Sequence, residues 1–195
     1  GGEAAADNGL ATPAEAEAAV DIFLKMLGTF HPNLRNSAIR STALCKTLGE
    51  QMGLPAAQAQ NLVWAAGLFD ISLVGVERNI VRRWLRSPDK CTEEEMNAIR
   101  KHPNDSVEIL RAYPIFKEAG DVLRYHHENW DGTGYPDRLK GETIPWLSRL
   151  LAVVIFCCSR HQAPAQILNE AQSQVGKMFD PKALEAVAKA VPATE

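Results

Sequence analysis

Helical spacing of apolar residues is the feature that most limits what this chain can fold into. Val20, Phe23, Leu24 and Leu27 recur at intervals of three and four residues, as on one face of an α-helix. The same spacing returns through most of the 195 residues, and no stretch alternates apolar and polar residues long enough to predict a strand. The sequence therefore predicts an all-α fold.

Start and stop signals divide the chain into helices. Thr12-Pro13-Ala14-Glu15 has the pattern of a capping box with proline in the first turn, and Gly53 is placed to end a helix. Thr92 precedes three glutamates in the same way. We predict helices at about 13–28, 33–52, 55–69, 76–86 and 92–102, one capped by Asn104 or Asp105, one from Pro114 to the paired histidines, one at 145–160, and two short ones after Pro164 and Pro181.

Composition bounds the class of protein. With 46% hydrophobic and 23% charged residues, the chain resembles an ordinary globular domain, and its length suits a single one. A formal charge of -3 excludes a broad basic surface for duplex nucleic acid. Residues 1–11 are rich in glycine, alanine and acidic residues, so we interpret them as a linker or expression remnant before a folded domain at 12–195.

Neither a membrane span nor a disulfide framework is expected. The apolar run at 147–158 is about a dozen residues long and contains Arg149, which is too short for a transmembrane helix. No signal-peptide core opens the chain. Its four cysteines lack the Cys-x-x-Cys spacing, which favours reduced, buried thiols in a cytoplasmic protein.

The segment from Tyr125 to Pro136, Tyr-His-His-Glu-Asn-Trp-Asp-Gly-Thr-Gly-Tyr-Pro, carries the most chemistry. Two adjacent imidazoles at a predicted helix end can bind a metal. The Asp-Gly-Thr-Gly run can turn sharply and let a phosphodiester approach the backbone, although any tight turn also favours glycine. The flanking histidines, tryptophan and Tyr-Pro favour the functional interpretation.

This segment, with Gly141, Ile144-Pro145 and Arg149 downstream, resembles the HD-GYP family of cyclic di-GMP phosphodiesterases. The resemblance extends to Phe69-Asp70, at the family's His-Asp pair, and to His102-Pro103. It also includes Thr92 to Glu95 and Phe179-Asp180-Pro181, so it covers about residues 15–190. It implies an HD-superfamily helical bundle of about seven to nine helices.

The resemblance also implies a ligand set. In active members, histidines and carboxylates hold two or three metal ions, which activate water and clamp the phosphodiester. Matched by position, Asp70, His102, His126 and His127 correspond to four of these ligands. A GYP loop for interaction or recognition is assigned to Asp131, Gly132, Gly134, Tyr135 and Pro136.

Four departures from the family pattern weaken the site. The early histidine of the family falls on Asn36, the histidine of the His-Asp pair on Phe69, and the aspartate of the last motif on Ile155. The lysine expected near the scissile phosphate falls on Leu73. Because Phe69 and Ile155, at two expected ligand positions, have no donor atom, we expect no intact catalytic residues and no cofactor. The alternative is a single transition metal, Fe or Mn, on the four remaining ligands.

Two other histidines have competing interpretations. His31 lies five residues before Asn36 and could act as a substitute ligand, but a histidine beside proline at a helix boundary is more often a cap or exposed. His161 follows the apolar helix, where a surface or tail-packing role is favoured.

The sequence thus predicts a non-catalytic signalling or interaction module derived from a cyclic di-GMP phosphodiesterase, acting through its GYP loop or by nucleotide binding. The alternative is a residual phosphodiesterase with a reduced metal site. The resemblance implies bacterial two-component signalling, with diguanylate cyclase (GGDEF) domains or an upstream receiver or sensor domain as partners. Arg78, Arg82 and Arg83 are candidate phosphate contacts for cyclic di-GMP, or only a solvated helix face.

Overall fold

The computed structural model describes residues 12–192, which form ten α-helices and four short 3-10 turns. In that range no strand forms, and the one bridge joins Val175 to Phe179. The helices are α1 (Pro13–Phe30), α2 (Pro32–Met52), α3 (Ala56–Leu68), α4 (Arg78–Arg86), α5 (Glu93–Arg100), α6 (His102–Leu110), α7 (Lys117–Arg124), α8 (Trp146–Cys158), α9 (Pro164–Gln172) and α10 (Pro181–Ala190). The predicted all-α fold is confirmed, while the predicted linker at 1–11 lies outside the described residues.

Local signals account for most helix boundaries. Thr12 and Glu15 form a reciprocal capping box at the start of α1, and Thr92 and Glu95 form another at α5. Gly53 adopts a left-handed φ of 60° and ends α2, a conformation that glycine adopts without steric cost. These boundaries were predictable because each depends on a few neighbouring residues.

Two helix boundaries near the histidines differ from prediction. We expected Asn104 or Asp105 to cap a helix, but α6 already begins at His102, with Pro103 in its first turn. Proline is tolerated there because the first amides of a helix have no intrahelical acceptor. Likewise, α7 ends at Arg124, so the paired histidines follow the helix instead of closing it.

The helix α2 is central to the packing, since it contacts α1, α3, α8 and α10. The main core joins apolar side chains of these helices with α7, and includes an edge-to-face contact between Trp64 and Phe116 at 5.4 Å. A smaller core of Leu27, Leu34, Leu73, Val81 and Ile99 joins α1 to α4 and α5. No helix within 12–192 is long and apolar enough to cross a membrane.

A buried ion pair joins α8 to α10. The Nη1 atom of Arg149 lies 2.7 Å from Oδ2 of Asp180, whose side chain is only 1% exposed. The other Asp180 oxygen accepts a bond from the Lys182 amide and caps α10. The Phe-Asp-Pro motif thus has a structural role.

Replacing Asp180 with asparagine should destabilise the fold by about 3 kcal/mol, because Arg149 would keep a buried charge without its counter-charge. Urea unfolding measures this change. Glu185→Gln is the matched control: it also removes a carboxylate from an ion pair on α10, but that pair is exposed and should contribute little. Equal losses in the two variants would contradict the assignment.

Candidate metal centre and its cavity

Three histidines from two parts of the chain lie close together. His102 opens α6, while His126 and His127 follow α7, and ligand atoms of all three lie within 4.8 Å of one another. The Nε2 atoms of His102 and His126 are 3.3 Å apart. Asp70 follows α3 and brings its Oδ1 atom to 3.4 Å from His102 Nε2. The four predicted ligands therefore lie together.

Backbone carbonyls orient two of these rings. The Nδ1 atom of His102 lies 2.7 Å from the Ile99 carbonyl, and that of His126 contacts the Leu123 carbonyl. A carbonyl can only accept, so each Nδ1 carries the hydrogen and donates it. In the neutral rings the Nε2 lone pairs then face each other, an arrangement suited to binding a metal cation.

Burial keeps the cluster uncharged near neutral pH. It lowers the pKa of His102 to about 4, and burial together with the neighbouring His102 lowers that of His126 to about 3. The pKa of His127 is likewise well below its usual value. Burial raises the pKa of Asp70 to about 8. Neutral imidazoles are the form that binds a metal, and an ion would favour the ionised form of Asp70.

The donor set fits one metal ion. At metal–nitrogen distances of about 2.0–2.1 Å, two ligands of a tetrahedral ion lie roughly 3.3–3.4 Å apart. The observed 3.3 Å between His102 and His126 matches this spacing. Within residues 12–192, no second group of three or more such side chains has ligand geometry. The described part of the chain therefore offers one ligand set.

Carbon atoms stand where the family pattern expects further donors. The Phe69 ring packs edge-on against His126, with centroids 5.3 Å apart. Leu73 is fully buried in the smaller core, away from solvent. Ile155 lines the cavity beside the cluster. None of these side chains can bind a metal or contact a phosphate through a polar atom.

The position assigned to Asn36 requires a correction. Asn36 is exposed, whereas the next residue, Ser37, is buried and lines the cavity. One residue along a helix rotates a side chain by about 100°, so a one-residue shift in the match changes the face. The spacing to Arg40, three residues after Ser37, is the signal that would have identified Ser37 from the sequence.

A cavity of about 560 Å³ opens beside the cluster. Asp70 and His127 line it together with the indole of Trp84. Arg40 and Arg160 also line it, and Arg40 donates two hydrogen bonds to the Cys158 carbonyl. This size and mixed polar and apolar lining are typical of small-ligand sites.

The two remaining histidines lie apart from the three ligands. His161 is exposed and lines the same cavity, which agrees with the favoured surface position. His31 caps the end of α1 and the start of α2 and is not part of the histidine group. It therefore does not replace a missing ligand.

The GYP loop covers the histidine cluster. The Tyr135 ring stacks on His127, with centroids 4.7 Å apart and planes 18° from parallel, and its amide donates to the His127 carbonyl. At Gly134 any Cβ atom would lie 2.4 Å from that same carbonyl oxygen, so only glycine fits. Gly132 adopts a φ of 85°, and Asp131 accepts bonds from Thr133. Pro136 follows a cis peptide bond.

Sequence reasoning missed the role of Glu128. This buried carboxylate accepts hydrogen bonds from the amides of Asp137 and Leu139, at 2.6 and 3.0 Å, and so anchors the far side of the loop. An acidic residue directly after the histidine pair was the available signal. The exposed residues of the loop are Thr133, Asp137 and Arg138 with Lys140.

The three arginines predicted to contact phosphate do not line this cavity. Arg83 forms a salt bridge with Glu95, and Arg78 lies over the Phe30 ring. The face of α4 toward the cavity carries Trp84 and Leu85 instead. The arginines therefore belong to another surface.

Comparison with known proteins places this geometry in a family. Residues 21–183 match the sequence profile of a family described as HD domain. The chain is 31% identical over 158 residues to the cyclic di-GMP phosphodiesterase response regulator RpfG of Xanthomonas campestris, covering 76% of this chain and 41% of that protein. It is 31% identical over 156 residues to 3'3'-cGAMP-specific phosphodiesterase 2 of Vibrio cholerae, covering 75% and 29%. The chain thus spans less than half the length of these relatives.

Solved structures agree on the fold. A protein of Bdellovibrio bacteriovorus described as an HDG"Y"P protein superposes with a TM-score of 0.66 at 16% identity, over 90% of this chain and 61% of that one. A cyclic GMP-AMP specific phosphodiesterase of Vibrio cholerae gives 0.62 at 19% identity, over 78% and 43%. The chain belongs to the HD-domain family, and its Gly-Tyr-Pro motif resembles that of the HD-GYP proteins within it.

Proposed function

We propose that this HD-GYP domain is a non-catalytic signalling module that binds a cyclic dinucleotide without hydrolysing it. The observation that carries the proposal is the pair Phe69 and Ile155, whose carbon side chains face the cluster and the cavity at two expected ligand positions. Two-metal hydrolysis needs ions about 3.5–4 Å apart, one for the attacking and one for the leaving oxygen. The single ligand set supports only one ion.

The chain's own residues define what this centre can do. Four residues would hold one ion, such as Fe or Mn, which when bound supplies Lewis acidity: His102, His126, His127 and Asp70. The carbonyls of Ile99 and Leu123 keep the rings of His102 and His126 turned toward it. Leu73 offers no charge for a leaving phosphate. The residues here therefore favour binding over turnover.

The cavity supports recognition of a nucleotide. Trp84 supplies an aromatic wall against which a base can stack, and Arg40 and Arg160 supply cationic groups for phosphate. The relatives are named for phosphodiesterases of cyclic di-GMP and of 3'3'-cGAMP. Cyclic dinucleotides are thus the ligand class that we infer.

We expect no hydrolysis of cyclic di-GMP or 3'3'-cGAMP above the protein-free rate in Mn(II) or Fe(II), because the second ion position lacks its ligands. Chromatography of the products measures this, with the cyclic di-GMP phosphodiesterase of Thermotoga maritima as the positive control. Turnover that His126→Ala abolishes would establish a residual enzyme instead.

Calorimetry should show saturable binding of a cyclic dinucleotide. Ser37→Trp should abolish the heat by filling the cavity, whereas Asn36→Trp, one residue away on the exposed face, should preserve it. Absence of heat from the unmodified domain at high micromolar ligand would count against recognition.

Restoring the missing ligands should add a metal ion. Phe69→His, Ile155→Asp and Ser37→His together should raise metal content from at most one to two ions per chain, measured by elemental mass spectrometry after anaerobic loading with Fe(II). The matched control replaces Ser37→His with Asn36→His, whose side chain points to solvent. If both triple variants bind equally, the assignment of Ser37 to the cavity face is wrong.

The partner class stays a prediction. The resemblance points to GGDEF domains or an upstream receiver or sensor domain, and the exposed loop residues Asp137 and Arg138 are the available contacts. The inward-facing Tyr135 is less accessible because it stacks on His127. Titrating a GGDEF domain into the unmodified domain and into its Arg138→Glu variant tests this surface. Equal affinities would exclude Arg138 from the contact.

A further inference from the structure

The arginines of α4 lie on a second cationic surface, at the corner where α1 meets α2. This anion corner consists of His31, Arg35, Arg78 and Arg82. It is separate from the cavity, since none of the four residues lines it. The proposed function gives these residues no role.

Two buried nitrogen atoms at the corner have no partner. His31 joins α1 to α2, and its Nδ1 atom is buried without a hydrogen bond. Arg35 follows one turn later, and its Nε atom is buried in the same way. Buried polar nitrogen atoms usually have a hydrogen-bond partner, so two unpartnered ones side by side on one helix are available to a ligand. The two atoms thus point to a ligand.

The corner is held in place by packing. The Arg35 side chain lies so closely on Gly28 that a Cβ atom there would come within 2.4 Å of Arg35 Cδ. The Arg78 guanidinium sits 5.4 Å from the centroid of the Phe30 ring. Burial is the main cause that lowers the pKa of His31, and the positive charges of Arg82 and Arg78 lower it further. Both charges therefore lie within electrostatic range of the imidazole.

These arginines lack a carboxylate partner, unlike most others in the described residues. Six arginines there form salt bridges: Arg83, Arg100, Arg111, Arg124, Arg149 and Arg160. No salt bridge involves Arg35, Arg78 or Arg82 among residues 12–192. Unpaired like charges close together are unfavourable, and an anion between them would relieve the repulsion. The positive end of the 21-residue helix α2 adds to this field.

We propose that the anion corner binds a phosphoryl group. Arg78 and Arg82 supply forked donors that match phosphate oxygens, while His31 and Arg35 supply the two buried nitrogen atoms. Free inorganic phosphate and the phosphate of a mononucleotide share this chemistry. The site is independent of cyclic dinucleotide binding in the cavity.

Titration with inorganic phosphate, and separately with GMP, at constant ionic strength tests the site. The readouts are calorimetry and the NMR signal of the His31 imidazole, assigned with His31→Gln. We expect saturable binding that Arg82→Gln weakens about tenfold or more, because a charge-assisted contact is lost. Arg83→Gln is the matched control, since it removes the same charge from the same helix, at a residue already paired with Glu95, and should leave the affinity within about twofold.

The outcomes distinguish free phosphate from a mononucleotide as the ligand, and they also show when the proposal fails. Equal affinities for phosphate and GMP support recognition of the phosphoryl group alone, and tighter GMP binding supports a nucleotide. Non-saturable shifts, or equal losses in Arg82→Gln and Arg83→Gln, would overturn the proposal as a general charge effect. Thermal unfolding without phosphate checks that both variants fold. Calorimetry with cyclic di-GMP should give the same result for Arg82→Gln as for the unmodified domain, because Arg82 does not line the cavity.

Discussion

The buried contact between His102 and His126 is the constraint on which the site depends. Each ring donates a hydrogen bond through Nδ1 to a backbone carbonyl three residues earlier. The two Nε2 atoms therefore face each other at 3.3 Å. Burial makes charged imidazoles costly, and the rings are neutral donors as a result. Helix ends and backbone carbonyls thus position the histidines that would hold one ion.

The GYP loop packs against the third histidine of the same cluster, His127. Tyr135 stacks on His127, and Gly134 is obligatory because the loop backbone passes so close to the His127 carbonyl. Glu128 ties the other side of the loop through two amides. The family signature therefore has a structural reason that does not require hydrolysis.

Charge separates two surfaces of the domain. At the cavity, the guanidinium groups of Arg40 and Arg160 donate hydrogen bonds to backbone carbonyls of α8. At the anion corner, Arg78 and Arg82 form no salt bridge with a carboxylate of the described residues. The helix α4 divides them, because Trp84 and Leu85 face the cavity. A nucleotide site and a phosphoryl site can thus occupy one small domain without sharing a residue.

The sequence by itself determined the all-α class and most helix starts, because caps and apolar spacing act locally, while the family resemblance identified the four candidate ligands that the structure brings together. Only the tertiary structure decided that Ser37 rather than Asn36 faces the cavity, since helical phase becomes visible only against packed neighbours. It also decided the face on which Arg78 and Arg82 lie, and the anchoring role of Glu128. Each of these depends on contacts between residues distant in sequence, which local pattern does not encode.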